Sequence, residues 1–211
     1  MMLLAPAECQ SAQSYSDQAY SYFLSGNYEL AASTYDRAIQ LEPNSTALWN
    51  NKGRALAMLQ RIDQAIYCFD RSIAINPDDP ESLNLKAIAL SQGLKMDDQA
   101  ILLFDRALAI NSSYFDAWNG KGMALANLGD TAGALQCFEN AVQMRPKDPQ
   151  AWNNKGVVLL KMQRYEEALD CFNQALSIDS HNEAALQNKE STLQAMKEPA
   201  TLRLGSSAAS L

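Results

Sequence analysis

Trp49-Asn50-Asn51-Lys52-Gly53 returns as Trp118-Asn119-Gly120-Lys121-Gly122 and as Trp152-Asn153-Asn154-Lys155-Gly156, and an eroded copy, Leu83-Asn84-Leu85-Lys86-Ala87, lies between the first two. Successive copies are 34, 35 and 34 residues apart. A step of that length marks one supersecondary unit, too small to bury its own apolar face and stable only when stacked on copies of itself. Residues outside the motif keep the same step. Ala31, Ala65, Ala100, Ala134 and Ala168 form one row; an aromatic follows four residues later at Tyr35, Phe69, Phe104, Phe138 and Phe172; a small residue follows three further on at Ala38, Ser72, Ala107, Ala141 and Ala175.

Within a unit the spacing is helical. Trp49, Gly53, Leu56 and Leu59 stand at i, i+4, i+7 and i+10, and Ala65, Phe69, Ser72 and Ile73 at i, i+4, i+7 and i+8, the signature of two amphipathic helices. A short link at Gln60 to Asp63 makes them antiparallel, and Asn76-Pro77 ends the second, because a residue before proline is pushed out of the helical region. Units end at Pro43, Pro77, Ser112, Pro146 and Ser180, which predicts five helical hairpins at 12–45, 46–79, 80–114, 115–148 and 149–182. The extra residue of the third is expected near Gly93 to Asp97. Gly53 and Ala65 should let paired helices approach, with Trp49 and Phe69 filling the space between neighbouring hairpins. Residues 183–197 read as one closing helix with Leu186, Leu193 and Met196 turned inward, and 198–211 as a flexible tail.

These residues resemble the tetratricopeptide repeat family. The family pattern is met at Trp152, Gly156, Leu159, Ala168, Phe172 and Ala175, with Ser180 where proline is usual. The resemblance implies an all-α fold, a right-handed α-solenoid of five tandem helix-turn-helix units plus a C-terminal capping helix. It implies a protein-binding scaffold and no particular partner, because the motif residues are those that hold hairpins together.

Composition narrows the function classes. A chain of 211 residues that is 47% hydrophobic, with 9 Gly and 7 Pro, can build a continuous core. The formal net charge of -7 comes from acids and bases mixed along the helices, with no basic block, which disfavours nucleic acid, since tracking phosphates needs clustered Lys and Arg. No stretch reaches the roughly 18 apolar residues of a membrane span. Residues 1–11 read either as an ordinary frayed start or as the remnant of an export signal, Met1-Met2-Leu3-Leu4-Ala5-Pro6-Ala7, with no basic residue before Arg37. Cytoplasmic residence is favoured, and export follows if that remnant is real. Cys68, Cys137 and Cys171 share one slot in three repeats; neighbouring helices lie about 8–10 Å apart, beyond the reach of a disulfide, so they read as small core residues.

No constellation for chemistry emerges. His181 is the only histidine and falls in a turn; no phosphate loop, Cys-x-x-Cys pair or calcium-loop spacing occurs, and Asp78-Asp79 and Asp97-Asp98 look like helix-start acids. Catalytic residues, cofactors and metal are therefore expected to be none. Asn44-Ser45-Thr46 and Asn111-Ser112-Ser113 match the glycosylation sequon, which matters only to an exported chain.

What remains is the inner face of the stack. On each first helix the residues one, five and eight positions after the Trp slot should share a stripe away from the core. One position after the slot stand Ser16, Asn50, Asn84, Asn119, Asn153 and Gln187. An amide row can donate to and accept from an extended peptide backbone, or asparagine merely suits the first turn. The row resembles the asparagine ladder of the tetratricopeptide superhelix in the glycosyltransferase that places N-acetylglucosamine on proteins. There, however, the ladder lies on the neighbouring position, which here holds Asn51, Leu85, Gly120 and Asn154. Tyr20, Phe23, Arg54, Met123, Val157 and Lys161 complete the expected peptide groove, with Leu24 and Met58 beside them. Five hairpins would span about 50 Å, room for roughly 15 extended residues. The clamp for acidic chaperone tails is not matched, since Asp116 and Gly120 stand where its third-hairpin cation is needed. The lysine row Lys52, Lys86, Lys121, Lys155 and Lys189 reads as packing over the tryptophans rather than as an anion rail. A scaffold that binds a protein or peptide in the groove is the leading expectation. Self-association end to end through repeat 1, or service as a non-catalytic subunit of an enzyme complex, are the alternatives.

Overall fold

A computed structural model describes residues 11–197; the expectations for the N-terminal remnant, Cys9 and the C-terminal tail lie outside the described residues. Eleven helices follow one another among the described residues, with no strand: α1 Ala12–Leu24, α2 Tyr28–Leu41, α3 Thr46–Met58, α4 Ile62–Ile75, α5 Pro80–Ile88, α6 Asp97–Ile110, α7 Phe115–Asn127, α8 Thr131–Met144, α9 Pro149–Lys161, α10 Tyr165–Ile178 and α11 Glu183–Lys197. The protein is all-α. It divides into two compact units, α1 to α6 up to Ser112 and α7 to α11 from Ser113 onward.

Each hairpin closes on the same backbone device. Gly26, Gln60, Lys95, Gly129 and Gln163 have positive φ, between 59° and 86°, the left-handed conformation that ends a helix by satisfying its last carbonyls. Five of the helix starts are capped by side chains at the N-cap: Ser11, Ser45, Asp79, Asp130 and Asp148 each accept a backbone N–H of the first turn. The second helices end on an extended residue whether or not proline follows. Asn76 precedes Pro77 at ψ 97°, and Asp179 precedes Ser180 at ψ 97°.

Two expectations are corrected and a third is extended. The extra residue of the third repeat is not in the link. It sits earlier, inside a π-helical turn, Ala89–Gly93, which prolongs α5, so that Lys95 keeps the left-handed slot and the link keeps its length. Phe69, Phe138 and Phe172 pack inside their own hairpins, and Phe69 and Phe138 also reach the face of the next one, beside Leu85 and Val158. The rings of Phe69, Phe138 and Phe172 press on Gly53, Gly122 and Gly156, where an added Cβ would meet Phe138 at 2.8 Å and Phe172 at 2.5 Å. And α11 turns Ala185 and Thr192 inward, whereas Leu186, Leu193 and Met196 are exposed by 36% or more. In an earlier hairpin the Trp slot meets the second helix, as Trp49 meets Tyr67 edge-on at 6.3 Å; no described helix follows α11 to cover Leu186.

Cys68, Cys137 and Cys171 are buried thiols outside any disulfide. Burial pushes the thiols of Cys68 and Cys171 up to about 11, so the folded state holds their protons more tightly than the unfolded chain does. Their stabilising contribution is full below the ordinary thiol value near 9 and is lost as pH rises to about 11. In a Cys9→Ser background these thiols should react with an aromatic disulfide reagent at pH 8 only at the rate of unfolding. A fast phase without denaturant would show them to be accessible.

Candidate functional site

The repeat frame explains where a surface opens. In unit 1, Phe23 of α1, Arg54, Ala57 and Met58 of α3, Leu85 and Ile88 of α5 and Ala89 of the π-helical turn line a notch of about 350 Å³ floored by Phe69. In unit 2, Met123, Ala126 and Asn127 of α7 and Asn154, Val157, Val158 and Lys161 of α9 line one of about 180 Å³ floored by Phe138. The two notches are the same feature. Each lies between successive first helices, with positions five, eight and nine after the Trp slot on one helix and two, five and six on the next. Phe23 and Arg54 line the first notch, and Met123, Val157 and Lys161 the second. Tyr20 stands on the same face of α1, 54% exposed, without lining the notch.

The asparagine row does not face outward. Asn50, Asn84 and Asn153 are 2%, 3% and 4% exposed, and the amides of Asn50 and Asn153 go to neighbouring hairpins rather than to a groove. Asn50 donates to Asp79 at 3.4 Å and its Oδ1 lies 3.1 Å from Ser82 Oγ; Asn153 accepts from Asn188 at 2.9 Å. Asn119 is half-buried and accepts from Asn154 at 2.9 Å. Asn84 is buried with its Oδ1 unpartnered. The correction is one residue, about 100° of rotation: the stripe that reaches the notch is two positions after the Trp slot, where Leu85 and Asn154 stand. Leu85 and Ile88 stand on the groove rows of the third repeat and line the first notch; Asn127 lines the second without being among the expected groove residues.

Three lysines of the row, Lys52, Lys86 and Lys155, are tied to the preceding hairpin. Lys52 pairs with Asp36 at 2.5 Å, Lys86 with Asp70 at 2.6 Å and Lys155 with Glu139 at 3.4 Å, each acid standing sixteen residues earlier on the second helix of the preceding hairpin. Lys52 and Lys155 also lie 5.8 and 5.9 Å from the centres of Trp49 and Trp152, at the outer limit of a cation–π contact. The indoles are held from the other side, donating to the carbonyls of Pro43 at 2.8 Å and Pro146 at 2.9 Å.

Chemically, the notch of unit 1 is carbon with one charge at its edge, and Arg54 is already paired with Glu81 at 3.1 Å. A larger hollow of about 400 Å³ between α2, α3 and α4 is lined by Glu29, Asp36, Lys52, Arg61 and Tyr67. Both of its cations are paired within it, Arg61 with Glu29 at 3.0 Å and Lys52 with Asp36. His181 is exposed in its turn, 3.2 Å from Ser180 Oγ. Among the described residues, no helix is long and apolar enough to cross a membrane.

Models of the tetratricopeptide repeat match residues 16–80, 115–148 and 149–182. No curated protein sequence is significantly similar to the chain. Among solved structures, the chain is similar to YrrB, described as a TPR protein with an unusual peptide-binding site, at 22% identity over 87% of this chain and 94% of that one, with a TM-score of 0.65. A thermophilic TPR protein of Thermus thermophilus shares 19% identity over 87% and 100%, with a TM-score of 0.72. PilW, a widely conserved type IV pilus biogenesis factor, shares 20% over 87% and 89%, with a TM-score of 0.77. At these identities the likeness is one of fold.

Proposed function

Because the chain belongs to the tetratricopeptide repeat family, we propose that it is a non-catalytic scaffold that takes an extended partner segment along the face built by the first helices of its hairpins. One observation carries the reading: the same apolar notch opens at the same repeat slot in both units. A notch floored by a phenylalanine that is itself core takes an aliphatic or aromatic side chain, which gains about 1.5–3 kcal/mol on full burial. Backbone amides of the segment would find Asn154 and the Arg54–Glu81 pair at the rims. That the similar YrrB is described as having a peptide-binding site supports the choice of ligand class.

Site-specific photo-crosslinking in the native host tests it. A photoreactive residue placed at Met58 or Val157 should capture a foreign protein, while the same residue at Leu102, 65% exposed on the second helix α6, should not. Capture only from α6 would overturn the reading. Crosslinks between copies through Leu24 and Leu30, 68% and 50% exposed, would favour end-to-end self-association instead.

A further inference from the structure

We propose that the unit 1 notch selects an aromatic side chain of the partner segment over an aliphatic one of equal size; this rests on the notch being a binding surface. Charge complementarity carries the choice. An aromatic ring is negative over its faces and positive at its edge, and the notch offers a partner to each. The Arg54 guanidinium stands at the rim, a planar, weakly hydrated cation suited to a ring face. Its pairing with Glu81 leaves both side chains 46% exposed, so the pair does not cover the guanidinium. Phe23 forms one wall, its own ring set against Tyr28 edge-on at 5.3 Å, and Phe69 forms the floor; both can meet an incoming ring edge to face. Met58, 51% exposed, brings a thioether, which favours the edge of a ring. An aliphatic side chain would gain the burial and none of these contacts.

The opposite wall gives room and is held in place. Leu85 and Ile88 of α5 and Ala89 of the π-helical turn form it. That turn is fastened twice: Ser91 Oγ donates to Asp97 at 2.5 Å, and Gly93 packs on Ile62, where an added Cβ would meet the side chain at 2.6 Å. A wall already ordered before binding costs its occupant less, and a rigid ring loses little freedom of its own. The unit 2 notch shows the same slot without these parts. It holds about 180 Å³ against about 350 Å³, Asn154 stands in the slot of Leu85 and Asn127 in that of Met58, and Phe138 is the one ring among its lining residues. The preference for a ring therefore belongs to unit 1.

A pair of peptides that differ in one ring tests the choice: acetyl-Gly-Ser-Phe-Ser-Gly amide and its cyclohexylalanine counterpart, titrated into the full chain with isotope-labelled methyl groups. The NMR signals of Met58, Leu85 and Ile88 should shift with both, and the phenylalanine peptide should bind about 5-fold more tightly, the gain expected of one or two ring contacts. Burial alone predicts the reverse order, because the saturated ring is the larger and the more apolar. Arg54→Leu should bring the two affinities level. Equal affinities in the unaltered chain, or tighter binding of the cyclohexylalanine peptide, would overturn the aromatic choice while the shifting methyl groups leave the scaffold reading standing. A preference of the same size at Met123 and Val157 would trace it to the phenylalanine floor that both notches share, and would overturn the roles given to Phe23, Arg54 and Met58. If neither peptide moves the methyl signals of either notch, both readings fall.

Discussion

Replacing Phe172 by alanine is expected to remove about 3–5 kcal/mol of stability, the range for deleting a buried aromatic ring. The upper part of that range applies because the cavity cannot collapse. Phe172 is 0% exposed, within a cluster of Phe138, Val158, Leu159 and Ala168, and its ring rests on the backbone of α9 at Gly156. A helix backbone held by its own hydrogen bonds cannot move in to fill the space. Urea denaturation should show a lower midpoint with an unchanged slope. Gly156→Ala alone is expected to cost about 1–3 kcal/mol, since its Cβ would meet Phe172 Cε1 at 2.5 Å. Combined with Phe172→Ala, that Cβ points into the cavity instead, so the double variant should be more stable than the sum of the single losses. Strict additivity would show that ring and glycine do not share a contact.

The same ring explains what was legible in the chain. Hairpins could be read because the residues that pack within one hairpin, Gly156 with Phe172 or Gly53 with Phe69, recur together and at fixed spacing. What was misread depends on how one hairpin is rotated against the next. Asn50 differs from the groove-facing stripe by about 100°, one residue. Its burial is decided by Asp79 and Ser82, 29 and 32 residues away. The closing helix shows the same phase error: Leu186 was expected inside on grounds of hydrophobicity, but Ala185, one residue earlier, is the one at 0% exposure. A close helix contact selects the small residue, not the most apolar one. The π-helical turn hid for a related reason. An inserted residue leaves the spacing from Leu83 to Ala100 one too long without saying which turn absorbs it. The notch shares a wall with that turn at Ala89, so the part of the site hardest to read lies where the repeat departs most from its neighbours.

Asp79→Ala is the substitution that separates hairpin-to-hairpin polar coupling from ordinary capping, and it is expected to cost about 2–4 kcal/mol. The carboxylate accepts from the backbone N–H of Glu81 at 3.2 Å and of Ser82 at 3.2 Å, opening α5. It also accepts from the Ser82 hydroxyl and from Asn50 Nδ2 at 3.4 Å on α3. Ser82 in turn lies 2.7 Å from Ser72 Oγ, which donates to the carbonyl of Thr46 at 3.2 Å. Asn50, Ser72 and Ser82 are 2%, 0% and 0% exposed, so no water can replace the lost acceptor, and each orphaned donor carries its own desolvation cost. Asp148 provides the internal comparison. It opens α9 in the same way, bonding the N–H groups of Gln150 at 2.8 Å and Ala151 at 3.0 Å, but no hydrogen bond of its carboxylate ties it to another hairpin. Asp148→Ala should therefore cost only the cap, typically about 1 kcal/mol. Hydrogen exchange should place the larger loss of Asp79→Ala in both α3 and α5, and that of Asp148→Ala in α9 alone. Equal losses for the two would reduce the buried polar chain to a cap and leave the apolar contacts to hold α3 against α5.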